Sequence, residues 1–377
     1  MSGNSRADFC WLRTGDEAFA QMLAAIDASG RSVRLEMYIF TADGIGQAFR
    51  AALVRARQRG ARVQVLIDAF GSFSLPENFW VPLVQAGGEF RWFNRLRLER
   101  WSHRDHRKLL VCDETTAFVG GLNIAEDFAG DGVTRGWRDL ELMLTGALTG
   151  DLAASFDAQF AAAGAAPKTF SRLRPASGSR CISTPDGDLL LSGPGRGGAN
   201  PIKRALVADL RRARSVRIIT PYFLPTWRIR RELRRVTQRG GRAQLILAGK
   251  SDVPLARLAS QRLYHGFLSA GVEIYEYQPQ ILHAKLFLID HVVYTGSANL
   301  DTRSLTINHE LLVRLPDEKL AYEASRIFQE DLEYCQKVEA DAWTSSRSFW
   351  QRWKERWAYF ILARVDPYFA RRQLPRA

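Results

Sequence analysis

The chain has 377 residues, 46% hydrophobic and 25% charged with 41 aromatics, which is material for about two domains and excludes a disordered chain, a fibrous repeat or a small scaffold. Fifty-three Lys and Arg against 40 Asp and Glu leave a net charge of +13, which points to a polyanionic partner: nucleic acid, an anionic membrane surface or phosphorylated substrates. No signal-peptide pattern opens the chain, no stretch reaches the roughly 18 to 20 apolar residues that cross a bilayer, and Cys10, Cys112, Cys181 and Cys335 form neither a zinc cluster nor a disulfide framework.

Periodicity predicts a helix over 17–28, a strand over 32–40, a helix over 46–58 ended by Gly60, and a near-continuous apolar strand over 62–69. A helix over 81–86 and a strand over 89–93 follow. The second half repeats that order: helix 202–213, strand 216–223, helix 228–238, strand 243–247, helix 255–270 and strand 272–277. Even local strings correspond, as in Arg59-Gly60-Ala61-Arg62-Val63-Gln64-Val65 and Arg239-Gly240-Gly241-Arg242-Ala243-Gln244-Leu245. A period of about 180 residues is too long for a solenoid, so two duplicated α/β domains are expected, over 8–160 and 187–341. The Ala-, Gly-, Pro- and Ser-rich span 161–186 reads as a linker, and Gly193 to Gly198 as a plain turn lacking the lysine of a P-loop.

Each half then carries an H-x-K-x4-D string. The first is His106-Arg107-Lys108 running to Asp113, the second His283-Ala284-Lys285 running to Asp290. Each continues to a small-residue turn and an asparagine, Gly120-Gly121-Leu122-Asn123 and Gly296-Ser297-Ala298-Asn299. Residues two apart on an extended chain share a face, so each histidine and lysine can converge on one oxyanion. Two such segments facing each other suit a phosphodiester: one histidine attacks phosphorus, the other protonates the leaving oxygen, and lysines and asparagines stabilise equatorial charge. Protein cations would take the charge-neutralising role, so no metal and no cofactor is expected. Only eight of the 53 basic residues are lysines, and two of those eight occupy equivalent motif positions.

These residues resemble the phospholipase D superfamily. Trp137-Arg138-Asp139, Pro221-Tyr222-Phe223, Asp252-Val253-Pro254, Gly296 to Asp301 and Arg303-Ser304-Leu305 resemble bacterial cardiolipin synthases, over about residues 10 to 335. The resemblance implies two α/β/α domains related by a pseudo-two-fold axis. It also implies phosphatidyl transfer between alcohols through a phosphohistidine. One of His106 and His283 would be the nucleophile, with His106 favoured, and the other the general acid and then base. Lys108, Lys285, Asn123 and Asn299 would bind phosphate oxygens. Asp113 and Asp290 would stand one layer behind and help orient a histidine, with Glu126 and Glu310 as weaker supporting candidates. One residue fewer separates Asp290 from Gly296 than Asp113 from Gly120, which puts the inward placement of Asn299 in question.

The basic excess is local. Residues 201–242 carry +11 and residues 342–377 carry +6, leaving the remainder slightly acidic. In the second segment Trp350, Trp353 and Trp357 recur near helical spacing, which reads as a basic, Trp-rich amphipathic tail meeting an anionic membrane. Together with the resemblance, which implies phosphatidylglycerol-like substrates, this makes phospholipid rather than nucleic acid the expected partner, at the cytoplasmic face of the membrane. Hydrolysis of a phosphodiester and non-catalytic lipid or nucleic-acid binding are the rival readings.

Overall fold

The computed structural model describes residues 7–95, 103–164, 179–194 and 200–366. Two mixed sheets carry the chain. In the first, the strand order is Phe9–Leu12, Glu141–Thr145, Thr116–Gly120, Leu109–Cys112, Ser32–Met37, Arg62–Asp68, Glu89–Phe93. The second repeats this order with Gly187–Ser192, Glu310–Leu315, Val292–Gly296, Leu286–Ile289, Ser215–Thr220, Arg242–Ala248 and Glu273–Tyr277, and adds an edge strand at each end, Arg180–Thr184 and Cys335–Lys337. In both, three parallel strands joined by helical crossovers meet an antiparallel set at the strand after the histidine motif.

Local chemistry sets these elements. Asp43 caps helix Gly44–Gln58 by accepting from the Gly46 N–H at 2.9 Å, and Asn200 does the same for Lys203 at the start of Pro201–Leu210. The central strands are buried on both faces, so they read as apolar runs such as Val63-Gln64-Val65-Leu66-Ile67. One face of each sheet packs against the other half. Leu109, Val111, Val119 and Leu142 share a core with Leu286, Leu288, Val293 and Val313, filled by Phe156 and Phe160 of helix Leu148–Gly164 and by Ile327 and Phe328 of helix Glu318–Leu332. Each fully buried side chain of this size contributes about 1.5–3 kcal/mol, so the two halves are joined by a core rather than tethered by a string.

The expected elements appear with ends shifted by a few residues, as in Gly15–Ala28 and Gly44–Gln58. The span 161–186 is not wholly irregular, because residues 161–164 finish a helix and Arg180–Thr184 form an edge strand. Most of the Gly193 to Gly198 turn and the chain end beyond Asp366 lie outside the described residues. The tail forms helix Phe349–Phe360, continued by Ile361–Val365. Its Ala358 packs with Ala259 and Leu224, and its buried Glu355 pairs with Arg347 at 2.9 Å. No helix among the described residues is long and apolar enough to cross a membrane.

Candidate active site

His106 to Lys108 and His283 to Lys285 are extended segments that lead directly into the paired central strands Leu109–Cys112 and Leu286–Ile289. Each segment is fastened by the opposite half. The His106 N–H donates to the His309 carbonyl at 3.0 Å, and the His283 N–H donates to the Arg138 carbonyl at 2.8 Å. The residue after each of those carbonyls is a carboxylate aimed at the same imidazole. Glu310 Oε2 lies 3.1 Å from His106 Nδ1, and Asp139 Oδ2 lies 2.6 Å from His283 Nδ1. Each half therefore supplies the histidine of one pair and the carboxylate of the other.

These carboxylates are held differently. Gly121 lies against Asp139, where an added Cβ would come within 2.3 Å of Oδ1, so a side chain there would displace the carboxylate. At the corresponding position of the second copy Ser297 donates its hydroxyl to Glu310, and Asn308 donates to the other oxygen at 3.3 Å. Burial opposes ionisation of both, but Lys285 and His283 hold Asp139, and His106 and Ser297 hold Glu310, below the ordinary carboxylate range.

Lys108 and Lys285 are almost fully buried. Each ammonium donates to the carbonyl of its own histidine, Lys108 at 2.8 Å, and Lys285 also sits 2.9 Å from His283 Nδ1. Burial and then the charge of Lys285 push the Lys108 ammonium down to about 7, and burial lowers Lys285 too. Burial drops His106 to about 4 against the pull of Glu310, and burial and Lys285 lower His283. The same charges act across both halves, which marks one shared electrostatic site. Aromatic walls confine it: the Tyr38 ring lies 4.7 Å from that of His106, and Phe128 and Trp137 lie 5.1 and 5.6 Å from His283.

Asn123 and Asn299 are both buried beyond the central hairpins. The missing residue is absorbed in the turn, because Cys112 pairs with Thr116 across three residues while Ile289 pairs with Val292 across two. Leu109 opposite Val119 and Leu286 opposite Thr295 then keep the same register, so Asn299 stays inward. Asn123 accepts from the Ile39 N–H at 3.1 Å and has an unpartnered buried Nδ2, whereas Asn299 has an unpartnered buried Oδ1.

The expected roles of Asp113 and Asp290 are corrected by the geometry. The motif's lysine precedes a four-residue strand and its aspartate follows it, so the aspartate is carried to the far end. There Asp113 accepts from the Gly30, Arg31 and Ser32 N–H groups at 2.8–3.0 Å, and Asp290 accepts from Arg214 and Ser215. Against the cost of burial, the Ser32, Gly30 and Arg31 amides keep the Asp113 carboxyl below its usual range. Both aspartates tie the start of a neighbouring strand and touch neither histidine. Glu126 likewise lies elsewhere, accepting from the Gly44 N–H at a helix start.

Sequence reasoning left three buried carboxyls out of the site. Asp139 was visible only as part of a Trp-Arg-Asp string. Asp68 accepts from the Asp105 N–H at 2.8 Å just before His106, and burial pushes it up to about 7. Glu141 lies beneath the site, and burial followed by the nearby Asp139 charge raises it well above the ordinary range.

A family model described as cardiolipin synthase, PLD-like domain, matches twice, over residues 22–144 and 206–332. Cardiolipin synthase B of Escherichia coli (strain K12) is 30% identical over 362 residues, covering 93% of this chain and 86% of its own. Cardiolipin synthase 1 of Bacillus cereus is 31% identical over 340 residues, covering 87% of this chain and 67% of its own. Among solved structures, the phosphatidylserine synthase of Haemophilus influenzae Rd KW20 matches the fold with a TM-score of 0.73 over 96% of this chain and 95% of its own, at 15% identity. The doubled motif, the two equivalent sheets and these relatives place the chain in the phospholipase D-like cardiolipin synthase family.

Proposed function

We propose that the protein is a phosphatidyltransferase of the cardiolipin synthase type. The observation that carries this reading is the pair of crossed histidine–carboxylate contacts flanked by two buried lysines. With Nδ1 of each ring facing a carboxylate, Nε2 is the atom that does the chemistry, and in His283 it lies 3.3 Å from the Lys285 ammonium. His106 Nε2 attacks phosphorus, forming an N–P bond as the P–O bond to the leaving alcohol breaks, and His283 gives that oxygen its proton. In the second step the acceptor alcohol loses its proton to His283 and attacks phosphorus, and the N–P bond breaks. His106 is the better nucleophile because the ammonium of Lys285 touches both ring nitrogens of His283. His283 gains its proton when the anionic phosphodiester arrives and offsets its burial.

Lys108, Lys285 and the amide of Asn123 supply donors for the phosphate oxygens, and Asn299 does so after a half-turn of its amide. Asp139 and Glu310 hold the imidazoles and stabilise the protonated ring. The tail helix supports a lipid substrate, because Trp350, Trp353 and Trp357 are 67%, 46% and 49% exposed on one face, opposite the face docked on the domain.

The test is product analysis with purified protein and phosphatidylglycerol vesicles, with and without added alcohol, beside a DNA control. Diphosphatidylglycerol should form and disappear in both His106→Ala and His283→Ala. Phosphatidate as the sole lipid product would assign a hydrolase, and DNA cleavage without any lipid product would overturn the proposal.

A further inference from the structure

A second basic feature lies away from the histidines. Helices Trp227–Gln238 and Pro254–Leu268 and the tail helix Phe349–Phe360 border a cavity of about 240 Å³, open to solvent and lined by Arg230, Arg234, Arg262, Phe267 and Tyr359. Arg230 donates from Nη1 to the Tyr359 hydroxyl at 3.2 Å, while its buried Nε has no partner. Arg234 spends its Nε on the Arg230 carbonyl at 3.3 Å.

None of these three arginines forms an ion pair among the described residues. The nearby carboxylates are paired with other arginines: Glu232 with Arg231 and Arg235, Glu276 with Arg257, and Glu355 with Arg347, although the Glu355 charge also reaches Arg262. Three guanidiniums line one hollow, and a bound oxyanion would accept their forked N–H groups, the unpartnered Nε of Arg230 among them.

We propose that this cavity is a binding site, separate from the histidine pair, for a phosphate-bearing anion, and that the anion is the headgroup of an acidic phospholipid. The choice of a lipid rests on the membrane-facing reading of the tail. At about 100° per residue, Arg356 and Arg352 fall on the flank of the tail helix between Tyr359 and the exposed Trp353. A phospholipid lying along the tryptophan face would thus meet a basic path to the cavity, with Phe267 and the Tyr359 ring beside its glycerol.

The test compares the full-length protein with Arg230→Gln/Arg234→Gln/Arg262→Gln and with a control of equal charge loss, Arg204→Gln/Arg211→Gln/Arg212→Gln. Two probes separate the sources: vesicles of phosphatidylglycerol in phosphatidylcholine, and inorganic phosphate followed by thermal shift. The cavity triple should lose about tenfold more vesicle affinity than the control. Equal losses by the two triples overturn the site. A loss confined to inorganic phosphate, with vesicle affinity unchanged, overturns the lipid assignment. The exposed Arg262→Gln alone guards against unfolding; about a threefold loss is expected, and wild-type affinity overturns its role. No arm reads a product, so a failure of phosphatidyl transfer stays distinguishable from a failure of this site.

Discussion

His283 and Asp139 meet at 2.6 Å although 144 positions separate them, and His106 meets Glu310 across 204. The crossing makes the site a property of the assembled pair of domains, since neither half holds its own histidine. Buried carboxylates in this position fix the ring tautomer and stabilise the protonated ring. Asp139→Asn should therefore lower kcat on the order of 100-fold or more with a smaller change in KM, and Glu310→Gln should do the same. Steady-state kinetics on variants that retain the wild-type melting temperature would check this; kcat within threefold of wild type in both would refute it.

Asp113→Ala and Asp290→Ala should behave oppositely. Each removes a carboxylate from backbone N–H groups at a strand start, costing about 1–3 kcal/mol of stability, while kcat per folded molecule stays near wild type. Because the folded-state Asp113 carboxyl is held below its unfolded value near 3.9, its stabilisation is present above that pH and is lost as pH falls through the folded value. Denaturant unfolding at pH 7 and pH 3 should show a gap between wild type and Asp113→Ala that narrows in acid.

How much could be read in advance follows from distance along the chain. The H-x-K pairs are local, two residues apart on extended backbone, so composition and spacing revealed them together. The repeat was legible because strands buried on both faces must be apolar runs. The carboxylate partners were not legible from spacing, as they arrive from the other half through His309 and Arg138, and the motif's own aspartates drew attention to the wrong end of the strand. The register between copies held the missing signal. Gly120 pairs with Glu141 and Gly296 with Leu312, so Asp139 and Glu310 each stand two residues before a corresponding position.

Lys108 gives the site a pH dependence with a definite sign. With its ammonium pushed down to about 7, the free enzyme holds the charge below that pH and loses it above. KM for an anionic phospholipid should rise by up to about tenfold per unit above pH 7, while His106, at about 4, stays neutral throughout. In Lys108→Arg the guanidinium remains charged, so this rise in KM should vanish even as kcat falls, because a planar fork replaces a compact ammonium. A KM profile from pH 6 to 9 that is identical in the two proteins would exclude Lys108 as its source.

The tail can be tested without dismantling it. Ala358 and Glu355 anchor its docked face, and Asp366 beyond its C-terminal end pairs with Arg303, four residues after the buried Asn299 in the chain. Trp350, Trp353 and Trp357 lie on the opposite face, and replacing all three by Gln leaves those anchors in place. If the indoles sit at headgroup depth, the triple variant should lose at least about tenfold in affinity for phosphatidylglycerol vesicles with an unchanged melting temperature. Turnover of a short-chain, monomeric phospholipid should stay near wild type, because the histidines and lysines are untouched. Wild-type vesicle affinity in cosedimentation would show that the tryptophan face meets no membrane, and an equal loss on monomeric and vesicle substrates would place its effect on the catalytic rim instead.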